Sequence, residues 1–184
     1  MAGHRVQRRV DSDTPPFQSI SLYPELYRLY RHFGTFLEEA LAAKPSIHYI
    51  DDWRARPDTW GVLALRPEPE DLGVIPESIC SANRTLMPRT TEILDAVPNL
   101  QAFAVSLLVP GGHIRLHTHE NHFVTAVLCL QGGEGSHISV SGKRRDFLDG
   151  EVIVFDYRQA HEISNDGDQD RIAMLLLFEN RETF

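Results

Sequence analysis

The sequence predicts a mainly β fold, an antiparallel sandwich or barrel whose N-terminal part is helical, and three observations predict it. From residue 100 onward, short apolar or alternating runs recur at 100–109, 123–130, 136–140, 144–148, 151–155, 160–164 and 172–178, separated by Gly, Asn and Asp turns. Before residue 44 the apolar residues repeat instead at helical spacing. The 184 residues, 42% of them apolar, suit one domain with its own core and no covalent staples.

The elements follow in order. Residues 1–16 are polar and charged and end in Pro15 and Pro16, so they read as a flexible arm, leaving 17–184 as the folded domain. Over 22–43, Leu26, Leu29, Tyr30, Phe33, Phe36, Leu37, Ala40 and Leu41 form one apolar stripe, with Pro24 where a first helical turn tolerates it. Lys44 and Pro45 stop that helix. A short strand at 47–50, a polar loop at 51–59 and a strand at 60–65 come next. Residues 67–76 are loop, rich in Pro and Glu, and 88–97 are a short helix ended by Pro98 and Asn99. The strands listed above complete the chain, without an internal repeat.

Composition excludes several functions. A formal charge of −8, from 18 basic against 26 acidic residues, disfavours a nucleic-acid surface. The cluster Lys143, Arg144 and Arg145 is the exception, and a hairpin turn explains it. Cys80 and Cys129 sit in apolar surroundings with no C-x-x-C spacing, so neither a disulfide framework nor a thiolate metal site is expected and a cytoplasmic setting fits. No run approaches the roughly 18 apolar residues of a membrane span, and the basic N-terminus lacks the apolar core of a signal peptide. The oligomeric state is not legible.

Chemistry concentrates in two stretches. One runs from Pro110, Gly111 and Gly112 through His113 to His117 and His119; the other runs from Gly150 through Asp156 to His161 and on to Arg171. Neutral imidazole is the commonest protein metal ligand, and His117 and His161 on neighbouring strands can share an ion that keeps open positions. A lone strand His is usually only a satisfied polar group; the turn-strand contexts raise these two. His119 lies two residues beyond His117, on the same face if the strand continues, and is either a third ligand or a rim residue. Arg171 interrupts an apolar strand, where a guanidinium needs a carboxylate: a structural Asp or Glu, or a carboxylate co-substrate. Ser106 can add a hydrogen bond to the same carboxylate.

At these residues the chain resembles the aspartyl/asparaginyl beta-hydroxylase family of iron(II) and 2-oxoglutarate-dependent oxygenases. The resemblance spans about 60–180 and rests on Trp60 with Gly61, Met87 through Leu94, Ser106 through Thr118, Asp149 through Asp156, His161 with Glu162, and Arg171. It implies a double-stranded β-helix, a cupin-like jelly roll, with N-terminal helices packed outside. It further implies His117 and His161 as iron ligands, Arg171 as the clamp on the distal carboxylate of 2-oxoglutarate, and Ser106 as its helper. Two departures stand out. Relatives carry Gly or Asp at the position of His119, and the strand after His117, running from Phe123 to Leu128, lacks the Arg and His that hold the other end of 2-oxoglutarate. Thr125, His122 or Arg115 is the available substitute.

The resulting expectation is an oxygenase using Fe(II), 2-oxoglutarate and O2 to hydroxylate an unactivated C–H bond of a small molecule, amino acid or short peptide. Candidate substrate contacts are Trp53, Trp60, Arg115, Glu120, His122 and Arg158, all on expected loops or at the mouth. Two rivals remain. One is a three-His cupin-type dioxygenase or isomerase without 2-oxoglutarate, since 150–165 also fits the second cupin motif apart from Asp156 and Arg158. The other is a non-catalytic metabolite-binding jelly roll with a vestigial His cluster.

Overall fold

In the computed structural model, which describes residues 14–68 and 75–180, the expected strands form two antiparallel sheets. The strands are β1 (His48–Tyr49), β2 (Trp60–Arg66), β3 (Leu100–Leu108), β4 (His113–His117), β5 (Phe123–Gln131), β6 (Ser136–Val140), β7 (Lys143–Asp146), β8 (Val152–Asp156), β9 (His161–Asn165) and β10 (Arg171–Glu179). The larger sheet has the order β1-β2-β3-β10-β5-β8, and the smaller has β4-β9-β6-β7. They face one another as a cupin-like double-stranded β-helix, and the helices lie outside, on the far face of the larger sheet.

The larger sheet is covered on both faces, which is why its strands read as almost unbroken apolar runs. Alternation divides the side chains between two cores. Phe103, Val105, Leu107, Val124, Ala126, Leu128, Met174 and Leu176 pack with the helical residues Leu26, Leu29, Phe36 and Ala40. Ala102, Leu108, Val127, Cys129, Ala173 and Leu177 point the other way, onto Ile114, Ile138, Val140 and Ile163 of the smaller sheet. The candidate site residues His117, His161, Ser106 and Thr125 lie on this side of the larger sheet. Both cysteines are free and buried.

Helix geometry departs from the expectation in two places. The stripe over 22–43 is not one helix: α1 (Pro24–Leu29) and α2 (Phe33–Ala43) are separated by a tighter 3-10 turn at Tyr30–His32. The stripe survives because Leu26, Leu29, Phe36, Ala40 and Ala43 are all buried despite the break. Residues 77–86, to which the sequence reading assigned nothing, form α3 (Glu77–Leu86), which buries Cys80 and runs straight into α4 (Pro88–Asp95). No helix among the described residues is long and apolar enough to cross a membrane.

The expected arm falls largely on residues 1–13, outside the described residues, as does part of the loop at 67–76. The junction of arm and domain is held: Gln159 Nε2 donates to the Pro15 carbonyl at 3.1 Å, and Gln18 N, just past the arm, donates to Val154 O at 2.8 Å along the open edge of β8. Lys143, Arg144 and Arg145 open β7 after a Ser141-Gly142 turn with φ of 47° and 75°, the twist-matched two-residue hairpin.

Candidate metal centre and its cavities

A bulge aims the first histidine. β4 pairs with β9 as Ile114↔Ile163 and then His117↔His161, so three steps along β4 match two along β9. One extra residue reverses the alternation. Arg115 and Leu116 therefore both face solvent, Leu116 at 55% exposure, while His117 turns inward opposite His161, with ring centroids 4.3 Å apart. Gly112 permits the entry to β4, because a Cβ there would stand 2.7 Å from a Leu108 methyl.

Each imidazole is held by its own strand. His117 Nδ1 lies 2.7 Å from Arg115 O and His161 Nδ1 lies 2.7 Å from Gln159 O. A carbonyl can only accept, so both Nδ1 atoms carry the proton and both Nε2 lone pairs are free for a metal. β4 ends at His117, so His119 is not on a continuing strand. It converges anyway, because its amide donates to Tyr157 O at 3.3 Å and its ring stacks on Tyr157 at 3.6 Å and 10°. His119 Nε2 is buried and has no hydrogen-bond partner among the described residues.

Together, one ring nitrogen from each of His117, His119 and His161 lies within 4.8 Å of the others, so the group can hold a metal ion. Burial favours that use. Desolvation pushes the His161 imidazole down to about 3 and the His119 imidazole down to about 2, aided by the neighbouring histidines, and lowers His117 as well. All three are neutral near pH 7 and present lone pairs, the form a cation requires.

The interior holds a second anomaly. Arg171 is fully buried, and Nε, Nη1 and Nη2 all lack a hydrogen-bond partner among the described residues. Its guanidinium carbon sits 5.1 Å from the Phe147 ring centroid, and burial pushes its pKa down to about 10. No ion pair links it to a carboxylate among the described residues, so the structural salt bridge weighed from sequence is not found there. It points to the same face of β10 as Ala173 and Leu175, and Ala173 pairs with Ser106. Ser106 and Thr125 line an inner cavity of about 40 Å³ with His117, His161, Trp60 and Leu175. Trp60 Nε1 donates to Ser106 Oγ at 3.2 Å, and Thr125 Oγ1 is buried without a partner among the described residues.

A larger cavity of about 410 Å³ opens beside His119 and Trp60. Of the expected substrate contacts only Trp60 lines it. Trp53 is 67% exposed, Glu120 and His122 are exposed, and Arg115 spends Nη1 on the Trp53 carbonyl. Arg158 grips the buried Asp156 through Nε and Nη2 and meets His122 Nδ1 at 3.3 Å, so it serves the scaffold. The sequence reading missed Asp52, Arg54, Glu68 and Tyr157, which do line the cavity. Tyr157 donates to Glu68 Oε1 at 3.0 Å, and Arg54 is chelated by Asp52 through Nε and Nη2, each at 2.8 Å. The only available signal was the Asp-x-Arg spacing in a loop that otherwise looked merely polar.

Comparison with known proteins adds a family and several distant folds. The family described as aspartyl/asparaginyl beta-hydroxylase matches residues 30–181. No curated protein matches the chain. Among solved structures, the cupin domain of Cnp3 from Schizosaccharomyces pombe aligns at 12% identity and a TM-score of 0.46, over 74% of this chain and 72% of that one. A cupin-2 domain from Rhodospirillum rubrum aligns at 12% identity and a TM-score of 0.46, over 73% and 68%. A predicted oxalate decarboxylase from Thermotoga maritima aligns at 24% identity and a TM-score of 0.40, over 45% and 69%.

Proposed function

The chain belongs to the aspartyl/asparaginyl beta-hydroxylase family, and from that premise we propose that it is an Fe(II)- and 2-oxoglutarate-dependent hydroxylase acting on an unactivated C–H bond of a small molecule, amino acid or short peptide. The observation that carries this reading is Arg171. A fully buried guanidinium with three nitrogens unpartnered is costly, and it is tolerated where a carboxylate completes it. The planar fork accepts such a group in bidentate fashion.

In this reading His117 and His161 hold the metal through Nε2, and the Arg115 and Gln159 carbonyls fix their tautomers. His119 supplies a third nitrogen, oriented by the Tyr157 ring. Arg171 would hold the distal carboxylate of 2-oxoglutarate, with Ser106, the partner of Ala173 two residues along β10, on the same side. Phe155, Ile163 and Leu175 exclude water from the inner cavity, which strengthens each of these polar contacts. When bound, iron and 2-oxoglutarate supply the O2-dependent oxidising power that these side chains do not possess.

The test is an anaerobic titration of 2-oxoglutarate into the Fe(II) protein, followed by the visible metal-to-ligand charge-transfer absorption. The band is expected in the parent and is expected to be lost in His161→Ala and Arg171→Ala. Iron binding with no band in the parent would sink the 2-oxoglutarate assignment.

One observation favours a second reading. All three convergent ligand groups are imidazoles, with no carboxylate among them, the donor set of a three-His cupin site that works without 2-oxoglutarate. That enzyme would retain its turnover in Arg171→Met, whereas the first would lose it.

A further inference from the structure

The loop between β1 and β2 brings a cation to the boundary between the two cavities. Arg54 lines both, together with Trp60 and Tyr157. It is held rigidly. Asp52 accepts from its amide, Nε and Nη2, each at 2.8 Å, and its guanidinium carbon lies 5.1 Å from the Trp60 ring centroid. The Arg54 carbonyl accepts from Arg115 N at 2.7 Å, two residues before His117. Asp52 thus fixes the plane of the fork but leaves Nη1 with no hydrogen bond among the described residues. A preorganised guanidinium loses little freedom when it takes a carboxylate.

The rest of the cavity selects what that carboxylate is attached to. Ile50, Val62, Ala102, Ala104, Leu175 and Leu177 form apolar walls, and about 410 Å³ suits a small molecule. The polar groups gather on one rim, and most are engaged. Asp52 is paired with Arg54, Arg66 is bound to Asp95 and the Leu100 carbonyl, Glu68 already accepts from Tyr157, and Asp51 at the mouth is exposed to solvent. Arg54 Nη1 is the donor on this rim that its salt bridge leaves open.

We propose that Arg54 receives the carboxylate of a small molecule whose apolar body fills this cavity, so that the carbon skeleton lies against His119 and the metal centre. The substrate would then be an apolar-bodied carboxylic acid or amino acid. The role of the His cluster rests on the function proposed above; the binding itself does not.

Two tryptophans provide the readout, since Trp60 lies under Arg54 and Trp53 is exposed outside the cavity. Isotope-labelled, metal-free protein is titrated with isocaproate or with the alcohol of the same skeleton, and the two indole N–H resonances are followed. Isocaproate is expected to move the Trp60 resonance saturably, to leave that of Trp53 in place, and to bind about tenfold tighter than the alcohol, roughly 1.4 kcal/mol. Arg54→Gln should bring the acid down to the level of the alcohol, with the indole dispersion of the variant reporting an intact fold. Loss of isocaproate binding in Arg171→Met with binding kept in Arg54→Gln would place the carboxylate on Arg171 and overturn the proposal.

Equal binding of acid and alcohol by the parent, an unmoved Trp60 resonance, or a preference that survives Arg54→Gln would each overturn the proposal. A parallel titration with 2-oxoglutarate separates the two sources of carboxylate. If Arg54→Gln abolishes its binding and spares isocaproate, Arg54 grips the co-substrate and the proposal falls. Because no metal is present, failure of the iron assignment would leave the isocaproate result intact.

Discussion

Burial keeps three imidazoles neutral, the form that can ligate a metal, and it does so at a cost that varies with pH. His161 is 2% exposed and its pKa is pushed down to about 3, chiefly by desolvation. In the unfolded chain it returns to about 6.5. Between these values the unfolded state binds a proton that the folded state refuses. Stability of the metal-free protein is therefore lost as pH falls from 6.5 toward 3, by at most about 1.4 kcal/mol per pH unit from this group, and is level above 6.5. Urea unfolding from pH 4.5 to 7.5 should show the slope, and His161→Gln should make it shallower, with His119 and His117 supplying the remainder; an equal slope in the variant would remove His161 as a source. Arg171 gives the complementary case. Arg171→Met is expected to stabilise the ligand-free protein by about 1–3 kcal/mol, since it removes an unpaired buried cation. The same variant should lose any rise in melting temperature that 2-oxoglutarate gives the parent. A destabilised variant would mean the guanidinium has a protein partner. His117 and His161 were legible in the sequence from the turns that precede them, and Arg171 because it interrupts an apolar strand. Arg54 and Tyr157 were not, since a charged residue in a polar loop and an aromatic one after a strand look ordinary until the fold brings them to one wall.

At the scale of the element, the β4 bulge decides whether the site exists. Strict alternation would have buried Leu116 with Ile114 and turned His117 outward; no residue between them is a glycine or proline that would signal the extra step. The break between α1 and α2 was hidden for a related reason, because the buried stripe keeps its phase through the 3-10 turn. α3 was missed because its mean character is polar and only Cys80 is buried. The helical layer has its own lock. Pro88 opens α4 with no side-chain cap of its own, and Glu39 of α2 reaches across to accept from Arg89 N at 3.2 Å and Thr90 N at 2.8 Å. Burial alone would raise the Glu39 carboxyl, yet those hydrogen bonds from Thr90 and Arg89 outweigh it and hold the pKa below its usual value. The stabilisation is thus present above the ordinary carboxylate range and is lost as pH falls through the lowered pKa. Glu39→Gln should cost about 1–2 kcal/mol at pH 7, the loss of a charge-assisted cap, and the gap to the parent should narrow in acid. Thermal melts at pH 7 and pH 4 check this, and a gap that is constant with pH would contradict it.

Across the whole molecule, β10 is the element on which both cores depend. It pairs with β3 on one side and β5 on the other along nearly its full length, and both of its faces are buried. Hydrogen exchange should therefore be slowest in β10 and should begin in β7, an edge strand whose residues are mostly exposed. Exchange of β10 amides at the rate of β7 would show that the larger sheet is not the stable centre. The two-faced sheet also gives the chain a parity. In β10 the odd-numbered residues Arg171, Ala173, Leu175 and Leu177 face the chemistry, while the even-numbered Ile172, Met174, Leu176 and Phe178 face the helices. In β5 the odd positions again look inward, and in β3 the even ones do. Sequence drift on the inward parity can reshape the cavity while the helix-facing parity stays untouched, so a library that varies every second codon among apolar residues alone would search for new substrates while keeping the second core filled.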